Sequence, residues 1–116
     1  MDINLIGVPI YYGSDIPGVE FGPKKLREKN IYGILSKYHK VYDLGDLYVP
    51  TEIEENKYAY HPKMKYLKPI VEVNTNLAQQ VYASLSSGSF PLVLGGDHSL
   101  GLGSISGVSK YYKNFA

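Results

Sequence analysis

Cysteine is absent from this chain of 116 residues, which excludes a disulfide framework and thiolate metal sites and agrees with a reducing compartment. A charge bias is missing too. Twelve Lys and Arg stand against eleven Asp and Glu in a mixed pattern without a basic block, so electrostatics give no reason to expect nucleic acid as a partner. No apolar run approaches the length of a bilayer span, and Met1-Asp2-Ile3-Asn4-Leu5 lacks a basic region leading into a long apolar stretch. Neither a signal peptide nor a membrane anchor is expected, no membrane partner is implied, and the cytoplasm is the default location. Internal repeats and low-complexity tracts are lacking, and the composition is neither disordered nor collagenous. What is left is one compact core, or part of one.

The periodicity of what is present predicts alternating strands and helices. Ile3-Asn4-Leu5-Ile6-Gly7-Val8 is rich in β-formers and runs into Pro9, as a mostly buried strand does. The stretch from Gly13 to Gly22 is too glycine-rich for regular structure, and Pro23 then stands where a helix prefers its first residue. From Lys24 to about Tyr38, Leu26, Ile31, Ile34, Leu35 and Tyr38 recur at roughly helical spacing, with Gly33 expected to divide two helical pieces. Lys40-Val41-Tyr42-Asp43-Leu44 reads as a second strand closed by Gly45-Asp46. Tyr48 to Met64 reads as a long surface connection, since charge, Tyr and prolines replace any apolar period. Its end, Lys63-Met64-Lys65-Tyr66, interleaves bases with aromatics; single-stranded nucleic acid is one reading of that, and a solvated loop is the better one. Ile70, Val73, Leu77, Val81 and Leu85 form a helical stripe stopped by Gly88. A third strand at Leu92 to Leu94 and a further helix marked by Leu102, Ile105 and Val108 complete the order β-α-β-α-β-α, which argues for a parallel sheet with crossover helices.

The third strand breaks at Gly95-Gly96-Asp97-His98-Ser99, presenting an acid, an imidazole and a hydroxyl. Parallel α/β proteins place their chemistry at the carboxyl ends of strands, so this turn is the candidate site. A nucleotide site is not supported by the glycines that follow. Gly101-Leu102-Gly103-Ser104-Ile105-Ser106-Gly107 is one residue too long for the dinucleotide fingerprint, and no Gly-Lys-Ser or Gly-Lys-Thr is present for a P-loop. Taken alone, His98 would be read first as a satisfied structural histidine. Asp97 is expected to fix the turn or orient His98 by hydrogen bonding, and Asp97 or Ser99 to cap the next helix. Glu20 is expected to favour the positive end of the following helix rather than to take part in catalysis. His39 and His61 have no ligand partner at useful spacing and are expected at the surface.

The turn resembles the first metal-binding motif of the arginase/agmatinase family of ureohydrolases. Leu5-Ile6-Gly7-Val8-Pro9, the Gly18-Val19-Glu20-Phe21-Gly22-Pro23 loop with Leu26-Arg27 after it, and Asp43-Leu44-Gly45-Asp46 all fall in the family's order. Gly103-Ser104-Ile105-Ser106-Gly107 looks like the arginase branch rather than the agmatinase-like one. The resemblance covers essentially the whole chain. It implies a three-layer arginase-like α/β fold, incomplete here, with strand order two-one-three and with residues 1–116 as the amino-terminal part of a single domain without internal boundary.

The resemblance also implies a chemistry: hydrolysis of L-arginine to ornithine and urea by two manganese ions. Guanidinium carbon is a poor electrophile, and two cations about 3.5–4 Å apart lower the pKa of a bridging water to supply hydroxide. Imidazole and carboxylate donors without thiolate suit manganese. His98 is the one metal ligand that carries over; no catalytic residue is assigned, and the substrate-binding residues are not identified. The family's next motif, an Asp-x-His-x-Asp cluster, is expected beyond Ala116, and Tyr111 to Ala116 hold no carboxylate or imidazole that could replace it. These residues alone are therefore expected to be inactive, with the third strand left as an apolar edge open to association. Family members commonly form homo-oligomers. The alternatives are a non-catalytic α/β interaction module or, within the family, an agmatinase-like enzyme.

Overall fold

The computed structural model describes residues 2–14, 17–52, 54–62, 65–97 and 101–112. Three strands, β1 (Asp2–Val8), β2 (Lys40–Asp46) and β3 (Phe90–Gly95), form a parallel sheet in the order β2-β1-β3. The order implied by the resemblance is the order found. Helices α1 (Gly22–Glu28), α2 (Ile31–Ser36), α3 (Leu67–Ser86) and α4 (Gly101–Tyr111) fill the connections, with short 3-10 turns at Val19–Phe21 and Glu54–Asn56.

The alternation of β1 assigns its side chains to two layers. Ile6 and Val8, with Ile10 just beyond, pack with Val73, Leu77 and Val81 of α3. Ile3 and Leu5 face the other way, with Val41 of β2 and the partly buried Ile31 and Leu35 of α2. A strand covered on both faces explains why β1 reads as a nearly continuous apolar run. Asn4 lies on the α3 side and donates its side-chain amide to the Ser84 hydroxyl at 2.9 Å, which satisfies two polar groups inside that layer.

One expectation about the helices needs correction. The first helical region divides at Lys29-Asn30 and not at Gly33. Asn30 takes the left-handed conformation, φ 64°, and its side-chain oxygen caps α2 by accepting the Gly33 amide at 3.3 Å. Gly33 lies against that cap, where a Cβ would strike the Asn30 amide group. The glycine thus accommodates the break without making it. In α4, Ile105 is 59% exposed, and it is Gly103 and Gly107 that are buried against α3. A Cβ on either would come within 2.6 Å of a backbone carbonyl oxygen of α3, Asn74 and Ala78 respectively, so small residues let the expected helix approach α3 closely while Val108 packs against the core.

Helix α3 spans Leu67–Ser86. Gly88 (φ 84°) ends it as expected, with the Gly88 amide donating to the Leu85 carbonyl at 3.0 Å and Ser89 to Ser84 at 2.9 Å, the paired bonds of a Schellman motif. The connection before it is less solvated than its composition suggests. Tyr66 is only 2% exposed and packs against Tyr12 at 4.5 Å between ring centroids, while Tyr12 donates its hydroxyl to the Pro50 carbonyl and accepts from the Glu52 amide, both at 2.8 Å. Burial raises the Tyr12 pKa, which keeps the phenol protonated as a donor. A ring buried in this way is not available to stack on a base; Lys63 and Met64 of the same motif lie outside the described residues.

Candidate functional site

The carboxyl ends of β1 and β3 meet at the site. Gly96 donates its amide to the Val8 carbonyl at 3.1 Å and Asp97 to the Ile10 carbonyl at 3.2 Å, so parallel pairing continues past the last strand residues. The approach is close enough that a Cβ on Gly96 would overlap the Ile10 backbone. Gly22, at the start of α1, lies over the Gly95 carbonyl, which a Cβ there would approach to 2.7 Å. Gly96 and Gly22 are thereby confined against backbone on either side of the break. This is a physical reason for glycine at 22 and 96 that the sequence shows only as a pattern.

Asp97 holds a second loop in place. Its Oδ2 accepts the amides of Gly13 at 2.8 Å and Ser14 at 3.1 Å, from the segment that follows β1. Charge-assisted bonds of this kind are shorter and stronger than neutral ones. These bonds hold the turn after β1, whereas the expectation for Asp97 concerned its own turn and His98, which lies outside the described residues. His98 and Ser99 lie outside the described residues, so the ligand assignment of His98 and the alternative cap at Ser99 are not placed.

Arg27, on α1, reaches across to the end of β2. Its Nε and Nη2 donate to the two Asp43 carboxylate oxygens at 2.9 and 3.0 Å, a bidentate pair, and Nη1 bonds to Asp46. This guanidinium holds the Asp43 carboxyl below its ordinary range, and the Arg27 pKa is raised in return. Gly7 makes room for the Asp46 carboxylate, and the β1–β2 register shifts between Leu5 and Gly7. The resemblance named Leu26-Arg27 and Asp43-Leu44-Gly45-Asp46 as two separate motifs; here they are one ion-pair cluster.

Among the other candidates, Glu20 accepts the Gly18 amide, a local loop contact. His39 and His61 are half-buried rather than at the surface, and the buried Nδ1 of His39 has no hydrogen-bond partner among the described residues. Sequence reasoning missed the Gly13 and Ser14 amides, which carry no side-chain signal, and underrated Asn74. Asn74 interrupts the apolar stripe of α3 and is buried, which is the mark by which it could have been found.

Among the described residues no three His, Cys, Asp or Glu side chains lie together as a metal site. The donor chemistry available at the turn, an imidazole at residue 98 with no thiol anywhere, is compatible with a hard cation such as manganese. Among the described residues no helix is long and apolar enough to cross a membrane.

An α/β protein whose chemistry is expected at the joined carboxyl ends of parallel strands is the class that this fold and turn define. The chain belongs to the arginase family, whose sequence pattern matches residues 1–116. It is 40% identical over 114 residues to the arginase of Brevibacillus brevis, covering 97% of this chain and 37% of that protein. Among solved structures it is similar to arginase from Bacillus cereus (36% identity, TM-score 0.81, 98% of this chain and 37% of that one). It is also similar to Entamoeba histolytica arginase in complex with L-ornithine (29% identity, TM-score 0.82, 99% and 37%). The chain thus spans a little over a third of the length of the relatives it matches.

Proposed function

We propose that residues 1–116 are the amino-terminal part of one arginase-like domain, and that the complete protein hydrolyses L-arginine to ornithine and urea. The observation that carries this reading is the match to the arginase family over all 116 residues, with the Gly95-Gly96-Asp97 turn docked on the end of β1. L-ornithine, the product of that reaction, is the ligand of the Entamoeba histolytica relative. In this reading His98 supplies one imidazole to a two-manganese centre, and the metals supply hydroxide at neutral pH. The chain's own part is to carry that imidazole on a turn whose flanking backbone is held by β1 and by the loop at Gly13 and Ser14. Preorganisation of this sort avoids the cost of ordering a ligand at the moment of binding. The protein is expected to act in the cytoplasm and as a homo-oligomer.

A single imidazole does not fix two cations, so residues 1–116 alone are expected to release no urea from L-arginine. The test compares this chain with a completed one in which the later metal motifs follow Ala116. Urea release is expected from the completed chain only, faster from L-arginine than from agmatine, and His98→Ala should empty one manganese site while leaving the other largely occupied. Two full manganese equivalents in that variant would remove His98 from the metal centre, and a preference for agmatine would move the protein to the agmatinase-like branch.

A further inference from the structure

A cleft that shares no residue with the turn after β3 opens between the segment following β2 and the first turns of α3. Its volume is about 160 Å³, and Pro50, Glu52, Tyr60, Lys68, Pro69 and Glu72 line it. Pockets for drug-sized molecules run to roughly 300–1,000 Å³, so the space here suits a molecule of a few heavy atoms.

One wall is fixed by hydrogen bonds. The Tyr12 hydroxyl donates to the Pro50 carbonyl and accepts the Glu52 amide, which ties this segment to the chain just after β1. The Glu52 carboxylate is oriented in turn, with Oε1 accepting from Nδ2 of Asn56 at 2.8 Å and Oε2 from the Tyr60 hydroxyl at 3.3 Å. Both donors are neutral, so these bonds aim the charge without cancelling it. The facing wall is α3, where Lys68 and Glu72 lie one turn apart and Pro69 between them is fully buried. The Lys68 ammonium stands over the Tyr60 ring, 5.7 Å from its centroid, a cation–π contact that draws it across the cleft rather than along the helix.

Charge decides what such a cleft accepts. A purely anionic molecule meets two carboxylates, and a purely cationic one meets the Lys68 ammonium. A molecule with an ammonium and a carboxylate a few bonds apart meets a counter-charge at each end, and like-charge juxtaposition disfavours the others. The rings of Pro50, Pro69 and Tyr60 supply apolar surface for what remains.

We propose that this cleft binds a free α-amino acid with a small side chain, its ammonium taken by Glu52 and Glu72 and its carboxylate by Lys68. The proposal does not depend on what residue 98 ligates, since no lining residue belongs to that turn.

The test titrates the completed chain with L-alanine as the probe, by calorimetry for affinity and by amide chemical shifts for location. Saturable binding is expected, in the millimolar range because the charged groups are partly exposed, with shifts concentrated at Thr51, Glu52, Lys68 and Glu72. N-acetyl-L-alanine lacks the ammonium and L-alaninamide lacks the carboxylate. Each should bind about 10-fold more weakly, having lost one charge-assisted contact. Lys68→Gln should remove the preference for L-alanine over L-alaninamide, and Glu72→Gln should reduce the preference over N-acetyl-L-alanine. Both side chains are exposed, and unchanged shifts at Leu77 and Val81 verify that the core is intact. Absence of saturable binding would overturn the proposal, as would affinity unchanged in both variants or shifts confined to other residues. Tighter binding of L-alaninamide would show a cation site only, and tighter binding of N-acetyl-L-alanine an anion site only; either would overturn the zwitterion assignment.

Discussion

The two flanks of β1 both pair backbone to backbone with their neighbours but differ in what packs against the glycines at their carboxyl ends. Toward β3, backbone meets backbone: Gly96 and Asp97 donate to Val8 and Ile10, and glycine is confined at 96 by the Ile10 carbonyl. Toward β2 the backbone pairs as well, with the Leu47 amide donating to the Gly7 carbonyl at 2.8 Å, and side chains add a second tie: Arg27 holds Asp43 and Asp46, and the nearest groups to a Cβ at Gly7 are the Asp46 carboxylate and the Arg27 guanidinium. Main-chain atoms in a paired sheet have nowhere to go, whereas a carboxylate can rotate. The flank whose glycine abuts backbone leads toward residue 98, and the flank whose glycine abuts side chains is the one at β2.

Substitutions can break this comparison, and they rank by size of effect. Gly96→Ala forces a Cβ into the Ile10 backbone and should cost about 3–5 kcal/mol by urea unfolding of the completed chain, the range of large strain effects. A cost near zero would mean that the β1–β3 junction is as adaptable as the β1–β2 one.

Arg27→Ala comes next, with an expected loss of about 1–2 kcal/mol at neutral pH, since the pairs are bidentate but partly open to solvent. Its pH dependence has a definite sign. Asp43 has a folded-state pKa below its unfolded value because Arg27 hydrogen-bonds its charged form. The stability this contributes is complete above the ordinary carboxylate pKa of about 3.9 and is lost as pH falls through the lower folded value. Unfolding measured from pH 7 into acid should therefore show a flatter decline in Arg27→Ala than in the parent. Parallel declines would remove Arg27 as the cause of the Asp43 shift.

Gly7→Ala sharpens the contrast. A Cβ there meets the movable ends of Asp46 and Arg27, so about 1 kcal/mol is expected, the scale of one lost surface ion pair. Combined with Arg27→Ala it should add almost nothing, because the obstructing contact is already relaxed; full additivity would show that the two residues do not share this cluster.

Much of the fold was legible in the residues. Strand β1 could be read because a strand covered on both faces needs β-formers at every position, and α3 because one stripe of Val and Leu must face the sheet. The break in the first helical region was assigned to Gly33 because glycine is the weaker helix former; Asn30 makes it by taking a left-handed cap that propensity does not single out. Tyr66 looked like part of a solvated basic loop, since charge in its neighbours says nothing about where one ring goes. At the site, the Gly95-Gly96-Asp97-His98-Ser99 motif marked the right turn but not the partners of its backbone, because amides of Gly13 and Ser14 have no sequence signature.

By itself the sequence determined the order of strands and helices, the glycine-marked turn after β3 and the arginase family, because periodicity, turn chemistry and motif order are local properties of a chain. Only the tertiary structure decided that Arg27 belongs with Asp43 and Asp46, that Asp97 holds the loop after β1, and that Asn74 receives the first turn of α4. Each joins residues at least sixteen positions apart in the chain. Hydrogen bonds over such separations exist only once folding has brought both partners into range.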